Sequence, residues 1–199
     1  VIADCKAAFG DDLLSIILYG SGAGDDYLPG KSDLNFMITL TDKGIESLDR
    51  AIEMVKRWRK SRVALPLAVT PSYIRDSLDA YPIEFINIKR RYRLVYGKDM
   101  LATLAFDHQH IRLQIERELR GKLLHLREGW LETEGKTRKI RELIGISLTA
   151  FISLFSALLY MKGFEIPNEK RAVISAAGEA LAFDAAVFLD CESVRRGVD

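Results

Sequence analysis

The residues with the most chemical promise lie between Ile17 and Leu40, in "ILYGSGAGDDYLPGKSDLNFMITL". An apolar run ends at Gly20-Ser21, a polar glycine-containing loop follows, and a second apolar run opens with Ser32-Asp33-Leu34-Asn35. Residues i and i+2 of a strand share one face, so Asp33 and Asn35 would project together, with Leu34 and Phe36 on the other. Two carboxylates so spaced can share divalent cations. A third from a neighbouring strand would complete a two-metal site for in-line nucleotidyl transfer, with ions about 3.5–4 Å apart. Gly-Ser before a helix start offers N–H groups and a hydroxyl to terminal phosphates. There Gly20 permits close approach and Ser21 donates. Asn35 departs from the two-carboxylate pattern. Its carboxamide oxygen can still ligate magnesium, but one negative charge and one bridging oxygen are gone.

The elements that must position these residues follow from periodicity. Val1 to Phe9 reads as a short helix, "SIILYG" as a buried strand ended by glycine, and "DLNFMITL" as a second strand. Ile45, Leu48, Ile52 and Val55 recur at helical spacing. "VALPLAVT" reads as a third strand, and Pro66 within it argues for an edge or a bulge. Pro71 opens a short helix. "PIEFINIK" and "YRLVYG" read as strands that close an α/β half over residues 1–105. From there to residue 199 the pattern is helical. Asp107 caps a helix through Trp130, "ETEGKT" breaks it, and a second helix runs to Met161. Asn168 caps a third, and the alanine-rich remainder is helical in one or two pieces. The expected fold is an α/β (α+β) mixed sheet followed by an all-α helical bundle.

A strand, Gly20-Ser21, a loop of about ten residues and Ser32-Asp33-Leu34 before a second strand resemble the signature of the nucleotidyltransferase superfamily. That superfamily includes DNA polymerase β and the aminoglycoside and minimal nucleotidyltransferases. The resemblance covers about the first 100 residues. It implies that Asp33 and Asn35 hold Mg²⁺ and that Gly20, Ser21 and Ser32 hold phosphates. By strand order the third ligand would lie on "VALPLAVT", which has no acid; by local pattern it would be Glu84, as ligand or base. The implied reaction transfers a nucleoside monophosphate from a nucleoside triphosphate to a hydroxyl acceptor, weakened or lost because of Asn35. A non-catalytic nucleotide- or protein-binding module is the alternative. Arg120 and His125 are similar to the Arg-x4-His motif of HEPN-type RNases, a further alternative for the helical half.

Plainer roles stand beside these. Gly20-Ser21 could be a strand-ending turn, Asp33 a cap of the preceding turn, and Glu84 a solvent-facing acid on an edge strand. "KRRYR", Lys89 to Arg93, could contact phosphate or decorate a sheet edge against pairing.

The chain as a whole narrows the partners. Its 199 residues carry a formal net charge of +1, so no global field favours nucleic acid or an anionic membrane. Cys5 and Cys191 have no metal-like spacing and fit a reducing cytoplasm. No signal-like segment opens the sequence, which begins at Val1. Leu143 to Met161 is charge-free and near spanning length, yet its serines, its threonine and its Gly145, Thr149, Ser153 and Ala157 stripe suit the central helix of a soluble bundle. The expected partners are a nucleoside triphosphate and a hydroxyl acceptor, with a homodimer admitted and neither membrane nor nucleic acid expected.

Overall fold

The uncharged run at residues 13–19 forms β1 (Leu13–Tyr19), the strand around which the first sheet is built. It pairs antiparallel with β2 (Asn35–Leu40), where Tyr19 faces Asn35 and Leu13 faces Leu40. A third strand, β3 (Leu67–Val69), pairs parallel with β2 at one edge. A fourth, β4 (Tyr92–Gly97), pairs antiparallel with β1 at the other, giving the order β3-β2-β1-β4. The computed structural model describes residues 1–24 and 33–197. They divide into two units: Val1–Asp79 with Ile88–Ala105, and Ala80–Asn87 with Phe106–Asp199.

Alternation along β2 sends Phe36, Ile38 and Leu40 into one core. There they meet Cys5 and Phe9 of α1 (Ile2–Phe9) and Met54 and Trp58 of α3 (Ile52–Lys60). The indole Nε1 of Trp58 donates to Asp4 Oδ2 at 2.9 Å and so ties α3 to α1. On the opposite face Met37 and Thr39 are also fully buried, which leaves Asn35, at the strand start, the partly open residue of that face. The helical spacing from Ile45 to Val55 resolves into α2 (Asp42–Glu46), a 3₁₀ turn at Leu48–Ala51 and then α3. Thr41 caps α2 by accepting from Gly44 N–H at 3.1 Å. Pro71 opens α4 (Pro71–Asp76), as expected, with Thr70 accepting from Tyr73 N–H at 3.0 Å.

"PIEFINIK" is a correction. It forms α5 (Pro82–Arg90), not a strand. Short isoleucine-rich runs suit either element, and contacts outside the run decide. Within the second unit, Gln114 accepts from the Ile83 N–H at 2.9 Å, satisfying one of the orphan donors of the first helical turn. Asn87 then donates to Ile83 C=O and to Ser153 Oγ, both at 2.8 Å.

The rest of the second unit is helical: α6 (His108–Glu132), α7 (Thr137–Met161), α8 (Lys170–Leu181) and α9 (Ala186–Arg196). Asp107 caps α6 by accepting from Gln109 N–H at 2.7 Å. The cap expected from Asn168 is not made, for Glu169 stands at that position of α8 without a side-chain bond. Leu148, Ile152, Phe155 and Leu159 of α7 pack with Val173, Ile174 and Ala177 of α8. Of the small-residue stripe, Ala157 is fully buried and Ser153 accepts from Asn87 of α5, whereas Thr149 is exposed, so the stripe packs over its C-terminal half only. By length and composition alone α7 could cross a membrane.

Candidate functional site

The corner of the first unit where β1 ends and β2 begins holds Gly20, Ser21, Asp33 and Asn35, four of the residues singled out in the sequence. Tyr19 leads into a 3₁₀ turn at Gly20–Ala23. Gly20 has φ +73°, a region where a side chain is strained, and a Cβ there would lie 3.6 Å from Asn35 Nδ2. The turn therefore closes against the Asn35 side chain at the start of β2, and Ser21 follows Gly20 within it. The N–H of Gly20 donates to the Arg91 carbonyl at 3.0 Å, and that of Gly24 to Ser21 C=O at 3.2 Å. Gly20 thus shapes the turn without supplying its own N–H to a ligand; Ser21, partly exposed, carries a hydroxyl at the same corner.

Asp33 is exposed and directly precedes the anchored start of β2. Leu34 N–H donates to Arg62 C=O and Leu34 C=O accepts from Ala64 N–H, both at 3.0 Å. Its side chain packs on the core cluster, the side away from Asn35. Directly paired strand residues share a face, so Tyr19, Asn35 and Tyr92 stand together. Burial pushes the Tyr19 phenol above its ordinary value. Burial, then the hydrogen bond to Asp99, does the same at Tyr92. Both phenols remain protonated at neutral pH.

Ser32 lies outside the described residues, with Asp25, Asp26 and Pro29. Glu84 lies on α5, in the second unit, where its exposed carboxylate accepts from Gln114 Nε2 at 2.8 Å. The strand that was to carry it does not exist. The strands flanking β2 read LLSIILY and LAV, so neither supplies an acid. Among the described residues no three His, Cys, Asp or Glu side chains converge as metal ligands. Arg120 and His125 both lie on α6, Arg120 exposed and His125 Nδ1 3.3 Å from Glu128 Oε2.

Within the "KRRYR" run the sequence did not single out Arg91, which the structure places beside the turn. It precedes β4, so it does not decorate the edge. Its guanidinium packs on Gly24, where a Cβ would collide with it, and sets a cation beside the turn.

The donor set fits one hard cation better than two. Asp33 offers a carboxylate and Asn35 a carboxamide oxygen, and magnesium accepts one or two protein ligands while keeping waters or taking substrate phosphates.

No family model matches the chain, and no curated protein matches it. Among solved structures it is similar to spectinomycin adenyltransferase AAD(9) from Enterococcus faecialis, determined with ATP and spectinomycin. The likeness has a TM-score of 0.52 at 14% identity and covers 99% of this chain and 88% of that one. Identity at this level speaks for the fold. This chain has a nucleotidyltransferase-like fold, a mixed four-stranded sheet with helices followed by a C-terminal helical region.

Proposed function

We propose that the first unit binds a nucleoside triphosphate with Mg²⁺ at the Gly20–Asn35 corner, as a nucleotidyltransferase-like protein of weakened or lost transfer activity. The observation that carries this reading is the positive-φ turn at Gly20, which contains Ser21 and closes on Asn35. Ser21 donates its hydroxyl to a terminal phosphate oxygen, with Ser32 as a second donor. Arg91 contributes positive charge next to the turn. Asp33 and Asn35 supply oxygen ligands to one Mg²⁺, which when bound would neutralise phosphate charge and polarise the phosphoryl group. The missing second carboxylate weakens the arrangement. A neighbour of similar fold determined with ATP and spectinomycin supports a nucleotide and a hydroxyl acceptor as the partners. Cys5 and Cys191 are free thiols, in keeping with a reducing cytoplasm as the location.

Calorimetric titration of ATP, with and without Mg²⁺, tests the reading. Wild type should bind in a Mg²⁺-dependent way, and Asp33→Ala should lose that dependence. Asn35→Asp should tighten binding about tenfold, because an added anionic ligand at a few ångströms is worth at least a kcal/mol after screening. Identical binding by all three proteins, or none by any, would remove the metal site and leave the corner as an interaction surface.

A further inference from the structure

Beyond its first turns α6 carries an apolar stripe that the packing of its unit leaves open. The buried residues of this helix are Ile111, Gln114 and Ile115; from Glu116 to Glu132 none is buried. Leu119, Leu123, Leu126 and Trp130 stand four, three and four residues apart, the alternation of a coiled-coil seam. Leu126 is half-buried, but Leu119 is 36%, Leu123 47% and Trp130 57% exposed. In heptad terms Leu119 and Leu126 occupy d, and Leu123 and Trp130 occupy a.

The two flanks of this seam differ. The g positions, Lys122 and Gly129, are turned to α7: a Cβ on Gly129 would lie 2.6 Å from Leu143 Cδ1, and Lys122 lines a groove with Leu143 and Phe151. Lys122 is also held 2.7 Å from Glu118. The e positions, Arg120 and Arg127, are exposed and make no hydrogen bond or ion pair among the described residues. Glu116, where the stripe stops, is taken by Arg112 at 2.7 Å. The open side of the seam is therefore apolar along its middle and cationic along its edge.

Two features select what covers it. A seam one side chain wide fits a second helix laid along it, whereas a helix resting in a membrane interface needs a broad apolar face. Charges beside the seam then decide which helix. A second copy of this chain would set Arg120 and Arg127 against its own Arg120 and Arg127, or against Lys122 and Gly129, and gains no opposite charge in either orientation. We propose that α6 docks an acidic amphipathic helix of a partner protein along Leu119–Trp130, with its carboxylates on Arg120 and Arg127. The seam is about 17 Å long, three helical turns. Its leucines and Trp130 gain by leaving water, and the two guanidinium groups choose the partner.

The probe is a synthetic three-heptad peptide with leucine at a and d, glutamate at e and g, and no aromatic residue. Its control carries lysine in place of glutamate. Calorimetry with the whole protein should show saturable one-to-one binding of the glutamate peptide and none of the lysine peptide. Trp130 emission should move to shorter wavelength on binding, while Trp58, 5% exposed, is already buried. Arg120→Glu combined with Arg127→Glu should weaken the glutamate peptide about tenfold and admit the lysine peptide, as two exposed ion pairs become repulsions. Leu123→Asp, at an exposed position, should weaken binding at least as much. The proposal fails if the glutamate peptide does not saturate, if the lysine peptide binds wild type as tightly, or if the variants bind like wild type. It also fails if wild type sediments as a dimer that Leu123→Asp disperses, since the seam would then belong to a second copy. Capture by anionic phospholipid vesicles through Leu123, without peptide binding, would overturn it in favour of a membrane contact. No arm uses nucleotide, so failure here and failure at the Gly20 corner are separable.

Discussion

Replacing Gly20 by alanine should destabilise the protein by about 1–2 kcal/mol, the cost of holding an L side chain in the left-handed region. It should also disturb Asn35, whose Nδ2 lies 3.6 Å from where the new methyl would sit. Urea denaturation reads the first effect and ATP titration the second. An unchanged midpoint would mean that the backbone at position 20 relaxes freely. Gly20, Ser21 and Asn35 were legible in the sequence because each residue type limits what it can do in a turn between two apolar strands. Arg91 was hidden among the basic residues of Lys89–Arg93, where composition cannot say which cation reaches Gly24. At Glu84 it was the element that was misread: a carboxylate advertises ligand chemistry whatever carries it, and here a helix does.

That element is α5, and its identity rests on a residue 31 positions away. Gln114, 3% exposed, accepts from the Ile83 N–H and donates to Glu84. No window around "PIEFINIK" contains this contact, whereas strands β1 and β2 and helices α6 and α7 carry their own periodicity and were readable. Gln114→Leu should cost about 1–3 kcal/mol by leaving the Ile83 N–H unpartnered in a buried setting. Thermal unfolding followed by circular dichroism checks this, and a variant as stable as wild type would show that the first turn of α5 finds another acceptor. In α7 the charge-free stretch was visible but its orientation was not. Small residues every four positions and apolar ones every three to four mark different stripes: the aromatic cluster around Phe155 and Phe188 takes the apolar one, and α5 meets the small one at Ser153.

Acid stability is a property of the whole molecule, and Glu192 is the group in the second unit to watch. It is fully buried, and its carboxylate accepts from Arg195 at 2.7 and 2.8 Å and from Arg196 at 3.2 Å. Burial opposes its charge, but Arg195 first, with Lys170 and Arg196, outweighs burial and holds the carboxyl below its ordinary value. The sign follows from that depressed pKa: the stabilisation is present above about pH 4.5, the unfolded value, and is lost as pH falls through the folded one. Glu192→Gln should therefore lower the melting temperature at pH 7, by the equivalent of about 1–3 kcal/mol. The gap to wild type should narrow below pH 4.5. Melting curves at pH 7 and pH 3.5 decide the matter, and a gap that does not change with pH would assign the effect to packing.

The path of the chain through α5 has a consequence for how this molecule can be inherited or cut. Residues 80–87 group with the helices that follow, and residues 88–105 return to the sheet that precedes them. No single break in the sequence separates the two units. A fragment ending at Ala105 would carry Ile83, Phe85 and Ile86 without Gln114 and Ser153, and one starting at Phe106 would lack the segment those residues hold. A recombination event that exchanged the helical half for another would have to bring its own eight-residue graft into the middle of the sheet-bearing half. A single cut near Ala105 would therefore leave both units incomplete.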